Sequence, residues 1–147
     1  MRILLVAPRS DFPDSIPGWI RIPQMSLLIL KKLSGPGHQV VTIEEDSAPL
    51  PLDERWDLVG ITVMTATASR AYTLSELFRE RGAKVILGGI HPSVLREEAC
   101  RHADAVLVGE AEPLWQQILE DAAGGSLQPI YYNLKPETIQ VPLVNYR

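Results

Sequence analysis

The sequence predicts an α/β fold in which five parallel strands form a doubly wound sheet with helices on both faces. Short apolar segments alternate with segments of helical periodicity along the 147 residues. The apolar segments are rich in Val, Ile and Leu without polar alternation, as is typical of strands buried on both faces. Strands and helices that alternate through short connections form right-handed βαβ units. The predicted architecture is therefore Rossmann-like, of the flavodoxin-like type.

Five segments have the composition of strands. The segment RILLVA, Arg2–Ala7, is followed by DLVGITV at residues 57–63, KVILGG at 84–89 and DAVLVG at 104–109. These four segments are almost wholly apolar and are predicted to be buried strands. The segment HQVVTIEE at residues 38–45 carries more polar residues, which predicts a strand nearer an edge of the sheet.

Helical spacing of apolar residues predicts helices at residues 23–33, 68–81 and 111–122. Gly82 is placed to terminate the second of these helices. Pro92 is predicted to be the first residue of a short helix, and Pro113 to lie in the first turn of the last helix. Residues 126–147 contain glycines and prolines without a helical stripe. The domain is therefore predicted over residues 1–125, with residues 126–147 as an extension or linker.

Composition and charge exclude several classes of partner. Hydrophobic residues make up 46% of the chain, enough for one core, and the formal net charge is −4. No basic cluster is longer than Lys31 and Lys32, so neither nucleic acid nor an anionic membrane is an expected partner. No segment has the ~20 apolar residues that would span a bilayer. Cys100 is the only cysteine, which excludes an intrachain disulfide and predicts a cytoplasmic protein.

The loops after the strands are the expected site, because ligands of open α/β sheets bind at the carboxyl ends of the strands. These loops are residues 8–19, 62–69, 88–93 and 109–113. The first lacks the G-x-G-x-x-G turn of a dinucleotide site, and no loop has the P-loop pattern G-x-x-x-x-G-K-[ST]. The acidic residues of a phosphoacceptor domain and the G-x-S-x-G turn of a hydrolase are also missing. These common sites are thereby excluded.

Small, uncharged residues dominate the remaining loop positions. Gly88 and Gly89 remove side chains at a strand end, which allows a bulky flat ligand to approach the backbone. Thr62 and Thr65 supply hydroxyl groups beside them, and Met64 offers a polarisable apolar contact. We expect a site for a large and mostly neutral molecule.

The loop motifs resemble those of a known family. T-x-M at residues 62–64, GGIHPS at 88–93 and VGEAEP at 108–113 are similar to the N-terminal cobalamin-binding domain of radical S-adenosylmethionine enzymes. The segment at residues 22–46 resembles the first helix and second strand of the same domain. The resemblance implies that Thr62 and Met64 line a pocket for the nucleotide tail of cobalamin, and that Gly88 and Gly89 let the tail pass. The full set of predicted cofactor-binding residues is Pro8, Ser10, Thr62, Met64, Thr65, Gly88, Gly89, His91, Pro92, Gly109 and Glu110.

Two motifs of related proteins are missing. Other cobalamin domains carry D-x-H-x-x-G after the first strand, where the histidine is the lower cobalt ligand; here Asp11 and Asp14 occur without a histidine. The catalytic half of radical S-adenosylmethionine enzymes carries three cysteines that hold a [4Fe–4S] cluster, whereas this chain has Cys100 alone. The resemblance therefore implies that S-adenosylmethionine and the cluster belong to a downstream catalytic barrel, which would be a partner of this domain.

Several interpretations remain open at this stage. His91 is an axial cobalt ligand, a wall of the tail pocket, or a polar loop residue satisfied by other contacts. Gly88 and Gly89 either admit a cofactor or only form a tight turn, and Glu110 either contacts the cofactor or favours a helix N-terminus. The predicted function is a cobalamin-binding module serving methyl transfer or a radical rearrangement. The alternatives are a docking or structural domain without cofactor and, less consistent with the loops, a sugar-nucleotide enzyme.

Overall fold

The described part of the molecule comprises residues 1–10 and 24–133 of a computed structural model. Its strands are β1 (Arg2–Ala7), β2 (Gln39–Glu44), β3 (Leu58–Thr62), β4 (Lys84–Gly88), β5 (Ala105–Gly109) and β6 (Ile130–Asn133). Its α-helices are α1 (Met25–Leu33), α2 (Ala68–Glu80), α3 (Ile90–Val94), α4 (Arg96–Ala99) and α5 (Trp115–Ala123). Asp11, Asp14, most of the loop after β1, the start of the predicted helix at residue 23, and residues 134–147 lie outside the described residues.

The strands form one parallel sheet in the order β2-β1-β3-β4-β5-β6. The five predicted strands are all present, and the less apolar β2 lies at an edge as expected. The sheet has one strand more than predicted, because β6 pairs with β5 through residues from the predicted extension. The order reverses between β1 and β3, which is the position where ligands bind in flavodoxin-like sheets.

The predicted helices begin and end close to the predicted residues, with two differences, and α4 is a short additional helix that was not predicted. Gly82 follows α2 with a positive φ of 87°, as expected for a terminating glycine. Helix α3 begins at Ile90 rather than at Pro92, because Gly89 turns the chain immediately after β4 with a φ of 105°. The last predicted helix is divided into a one-turn 3₁₀ helix containing Pro113 and the α-helix α5.

Two apolar layers cover the sheet, as a doubly wound fold requires. Helices α1 and α5 contribute Leu27 and Ile118 to a core on one face. Helices α2 and α4 contribute Phe78 and Ala99 to a core on the other face. Successive residues of a strand point to alternate faces, so each buried strand supplies both layers. No helix within the described ranges is long and apolar enough to cross a bilayer.

Candidate functional site

A cavity of about 120 Å³ lies between the sheet and helices α1 and α5, at the carboxyl ends of β3, β4 and β5. Its walls are apolar side chains from three strands and both helices: Leu5, Leu27, Leu30, Ile86, Leu107 and Trp115. Polar side chains of the lining are Ser26, Thr62, Glu110 and Glu112. Ser26 lies in the first turn of α1 and Thr62 is the last residue of β3. Both hydroxyl groups are therefore at the carboxyl-terminal end of the strands, where the cavity opens.

The cavity exists because glycines replace side chains on one face of adjacent strands. Gly60 of β3, Gly88 of β4 and Gly109 of β5 all contribute to the lining. A Cβ at Gly60 would lie 2.8 Å from Leu5 Cδ2, and one at Gly88 would meet nothing nearer than Leu107 Cβ at 3.8 Å. The missing side chain of Gly88 therefore leaves open space above the apolar layer of the sheet, whereas Leu5 and the Asn133 carbonyl group take the corresponding space at Gly60 and Gly109.

Gly89 both forms a turn and lines the cavity. Its φ of 105° lies in the left-handed region, and a Cβ there would be 2.8 Å from the Val63 carbonyl oxygen. That oxygen accepts the backbone N–H of His91 at 3.1 Å, while the Val63 N–H donates to the Gly88 carbonyl at 2.8 Å. These bonds hold the loop after β4 against the end of β3. Gly88 and Gly89 therefore form a tight turn and also line the cavity, so these two interpretations of the glycine pair are compatible.

The structure brings five of the predicted site residues together around the cavity: Thr62, Gly88, Gly89, Gly109 and Glu110. Within the described part of the chain, the other predicted residues lie outside the lining. Met64 and Thr65 are exposed at the same edge of the sheet. Pro8 is buried and Ser10 exposed after β1, at the start of the loop that the description only partly covers.

His91 and Pro92 are buried beside the cavity loop but do not line the cavity. The His91 Nδ1 lies 3.3 Å from Thr65 Oγ1, and its Nε2 lies 3.2 Å from both the Tyr72 hydroxyl and Glu98 Oε1. Both ring nitrogens are therefore engaged in hydrogen bonds that join the loops after β3 and β4 to α2 and α4. Of the three interpretations of His91, this geometry favours the polar loop residue satisfied by other contacts.

The charge state of this cluster follows from its hydrogen bonds. The Tyr72 hydroxyl donates to Glu98 Oε1 at 2.8 Å. Hydrogen bonds from Tyr72 and then from His91 hold the pKa of Glu98 below its ordinary value of 4.5. Burial, reinforced by the Glu98 carboxylate, raises the pKa of Tyr72 above its ordinary value. The cluster therefore contains one carboxylate that is stabilised in its ionised form.

Trp115 is a site residue that sequence analysis did not identify. Its indole Nε1 donates to Ser34 Oγ at 2.9 Å, and Ser34 Oγ donates in turn to the Leu30 carbonyl at 2.7 Å. These bonds fix the indole across the interior of the cavity. The only sequence signal was an apolar helical stripe through Trp115, Ile118 and Leu119, which predicts core packing and gives no indication of a ligand.

The site can accept a large molecule that inserts an uncharged part. The lining contains two carboxylates and, among the described residues, no Lys, Arg or His. Within the same residues, no three His, Cys, Asp or Glu side chains are grouped as a protein-bound metal ion requires. An apolar group is the part of a ligand that fits between these walls.

The fold and this site define a cofactor-binding module of the doubly wound α/β class. A family model described as B12 binding domain matches residues 32–119, and the chain belongs to this family. B12, or cobalamin, is a corrin ring that holds cobalt and carries a nucleotide tail. The apolar cavity and its glycine rim fit such a tail, and the corrin itself supplies nitrogen ligands to the cobalt.

Two curated relatives are methyltransferases of Chlorobaculum tepidum. Bacteriochlorophyllide d C-8(2)-methyltransferase is 42% identical over 108 residues, which are 73% of this chain and 24% of that protein. Bacteriochlorophyllide d C-12(1)-methyltransferase is 31% identical over 144 residues, 95% of this chain and 31% of that protein. The chain thus spans less than a third of the length of these relatives. No solved structure matches it at a significant level.

Proposed function

We propose that this chain is the cobalamin-binding module of a methyltransferase that belongs to the radical S-adenosylmethionine enzymes. The observation that carries the proposal is the glycine-rimmed apolar cavity at the carboxyl ends of β3, β4 and β5. Membership of the B12-binding family supports the choice of cofactor, and the names of both relatives support methyl transfer. Cobalamin, when bound, supplies the organometallic chemistry of the reaction.

The residues of this chain would hold and orient the cofactor. Gly88 leaves room for the tail at the rim, which Gly89 and Gly109 also line and where the Thr62 hydroxyl is available for a hydrogen bond. Leu30 and the fixed indole of Trp115 would cover the inserted part and exclude water from it. The bonds between Val63 and the loop after β4 would keep the rim in place before the cofactor arrives.

The remaining chemistry is assigned to other parts of a longer protein. Cys100 is the only cysteine of the chain, and a [4Fe–4S] cluster needs several thiolates. We therefore propose that the cluster and S-adenosylmethionine are bound by a downstream catalytic domain, which would be the partner of this module. The proposed domain division remains residues 1–125 followed by a connecting segment, with β6 completing the sheet from that segment.

Binding of hydroxocobalamin to the 147-residue chain tests the proposal. The protein is mixed with excess hydroxocobalamin and passed through a desalting column; retained cofactor, a changed visible spectrum and a raised thermal midpoint are expected. Gly88→Val fills the cavity without a strained backbone, so it should weaken binding about tenfold or more, which corresponds to ~1.4 kcal/mol.

Gly37→Val is the matched control, because a Cβ at Gly37 meets no atom within 4 Å and the residue precedes β2 at the opposite edge of the sheet. This variant should bind hydroxocobalamin like the unmodified chain. A colourless protein whose thermal midpoint does not move with added hydroxocobalamin would contradict the proposal and favour a docking domain without cofactor.

A further inference from the structure

Among the described residues, the side chains that form the interior of the cavity offer no free hydrogen-bonding group. The indole N–H of Trp115 is already bonded to Ser34, whose hydroxyl is bonded to the Leu30 carbonyl. The backbone of β3 pairs with that of β4 through Thr62 and Gly88, and the backbone of β5 pairs with that of β6 through Gly109 and Asn133. Among the described residues, every buried side-chain nitrogen or oxygen has a partner. A polar atom inserted between these walls would therefore lose its water without gaining a new partner.

The volume of the cavity reinforces this restriction. An apolar cavity of ~150 Å³ in a protein core is large enough to hold benzene and stays dry. The cavity here, at about 120 Å³, has room for roughly one six-membered ring. A ring of this size would displace water from the interior of the cavity, so its polar atoms would lose the hydrogen bonds that they make in solution. The hydroxyl and carboxylate groups of Ser26, Thr62 and Glu110 lie where the cavity opens, at the carboxyl-terminal end of the strands. They are therefore not placed to form hydrogen bonds with a ring in the interior.

We propose that this cavity selects cobamides by the base at the end of the nucleotide tail, favouring an apolar benzimidazole over a purine. The inference rests on the proposed function, because it concerns the part of the cofactor that enters the cavity. The six-membered ring, which lies farthest from the ribose, enters first. In 5,6-dimethylbenzimidazole this ring is a hydrocarbon with two methyl groups. In adenine it carries two ring nitrogens and an amino group.

The expected selectivity follows from the unpaired polar atoms of the purine. Burying a polar group without a hydrogen bond costs ~1–3 kcal/mol, and each ~1.4 kcal/mol corresponds to a tenfold change in dissociation constant. Even one unpaired atom therefore weakens binding of the adenine cobamide by about tenfold. Leu30 is the residue through which the preference can be altered, since its side chain lines the wall and is only half-buried.

The test compares three probes on the 147-residue chain: cobalamin, pseudocobalamin, which carries adenine as its base, and cobinamide, which lacks the nucleotide. Dissociation constants are measured by isothermal titration calorimetry and by the visible spectrum. Cobalamin should bind at least about tenfold more tightly than either of the others. All three probes are used in their dicyano forms, in which no base is coordinated to cobalt, so the two bases of similar size differ in polarity and not in the cost of release from the metal.

Leu30→Gln adds an amide to the wall and should reduce the preference for cobalamin over pseudocobalamin by about fivefold or more, because the amide can pair with the purine. Leu33→Gln is the matched control: it makes the same change in the same helix outside the cavity lining. The control should keep the preference of the unmodified chain. Circular dichroism confirms that both variants are folded.

Three other binding results would contradict the proposed base selectivity, the entry of the tail or cobalamin binding itself. Equal binding of cobalamin and pseudocobalamin, both tighter than cobinamide, would show that the tail enters without selection and would overturn the inference alone. Equal binding of all three probes would show that the tail remains outside, which also overturns the inference but leaves a corrin-binding module. Failure of all three probes to bind would overturn the proposed function together with the inference.

Discussion

The two faces of strand β3 serve different purposes. Towards α2, the strand presents Val59 and Ile61, which are fully or almost fully buried in the core. Towards α1 and α5, it presents Gly60 and Thr62, which line the cavity. One face therefore fills its space with side chains, while the other leaves space for a ligand. Substitutions on the first face should affect the stability of the protein, and substitutions on the second should affect binding.

Phe78→Ala on the packed face should give the largest loss of stability. Phe78 is 1% exposed within the core that α2 forms with the sheet. Removal of a buried phenyl ring leaves a cavity and lowers the free energy of unfolding by ~3–5 kcal/mol. Urea unfolding measures this loss. The folded fraction should still bind hydroxocobalamin within about twofold of the unmodified chain; a loss of stability below about 1 kcal/mol would contradict the comparison of the faces.

Gly89→Ala should reduce the free energy of unfolding by about 3 kcal/mol, an intermediate effect. The combination of φ 105° and ψ −171° is essentially restricted to glycine and costs a side chain ~1–3 kcal/mol, and the new Cβ would also approach the Val63 carbonyl oxygen to 2.8 Å. Gly82→Ala separates the two causes, because Gly82 has a φ of 87° and no atom within 4 Å of its Cβ position. Gly82→Ala should lose only the free energy that the positive φ costs a side chain. Equal losses in urea unfolding would show that the approach to Val63 has no energetic effect.

Gly60→Ala should change stability by less than about 1 kcal/mol and still weaken cobalamin binding. The new Cβ meets the flexible end of Leu5, and replacement of a strand glycine by alanine gains ~0.5–1 kcal/mol that offsets the adjustment. The methyl group narrows the cavity, so the dissociation constant of hydroxocobalamin should rise several-fold. Gly37→Ala serves as the control in the same titration. Undiminished binding by Gly60→Ala would indicate that the tail does not reach the middle of β3.

The pH dependence of stability should give the smallest effect, and it concerns the hydrogen-bonded cluster beside the cavity loop. The pKa of Glu98 is lowered in the folded protein, chiefly by the Tyr72 hydroxyl. Its contribution to stability is therefore complete above the unfolded-state pKa, near the ordinary value of 4.5, and is lost as the pH falls below that value and through the lower folded-state pKa. Urea unfolding at pH 7 and pH 4 should show a smaller difference for Glu98→Gln than for the unmodified chain. The neighbouring exposed variant, Glu97→Gln, should retain the full difference; identical behaviour of both variants would exclude this role of Glu98.

Most of the fold was readable from local sequence, because continuous apolar segments and helical stripes are local signals. The bounds of β1 agree with the prediction, and β2 lies at an edge as its polar residues indicated. Strand β6 was not predicted because it has only four residues, Ile130–Asn133, and it is stabilised by pairing with β5 rather than by its own composition. Short strands of this kind depend on tertiary context.

The site was predicted only in part, because some of its residues have a local sequence signal and others are defined by tertiary contacts. The glycines at positions 88, 89 and 109 stand at strand ends, so a sequence argument places them near a ligand. Sequence does not reveal which face of a wholly apolar strand carries the cavity, and Leu30 and Trp115 therefore could not be distinguished from ordinary core residues. The position of His91 depends on Tyr72 and Glu98, which are 19 and 7 residues away along the chain. No local pattern encodes that contact.

Strand β6 also determines the route by which the polypeptide leaves the sheet. Because β6 is parallel to its neighbours, its last residue, Asn133, ends at the edge that carries the cavity, where its carbonyl group occupies the space of a side chain at Gly109. An antiparallel strand of four residues would have released the chain at the opposite edge, on the order of 13 Å away. The last described residue of the sheet therefore lies at the same end of the sheet as the cavity, so a domain of the kind proposed above would need only a short connection to reach the ligand.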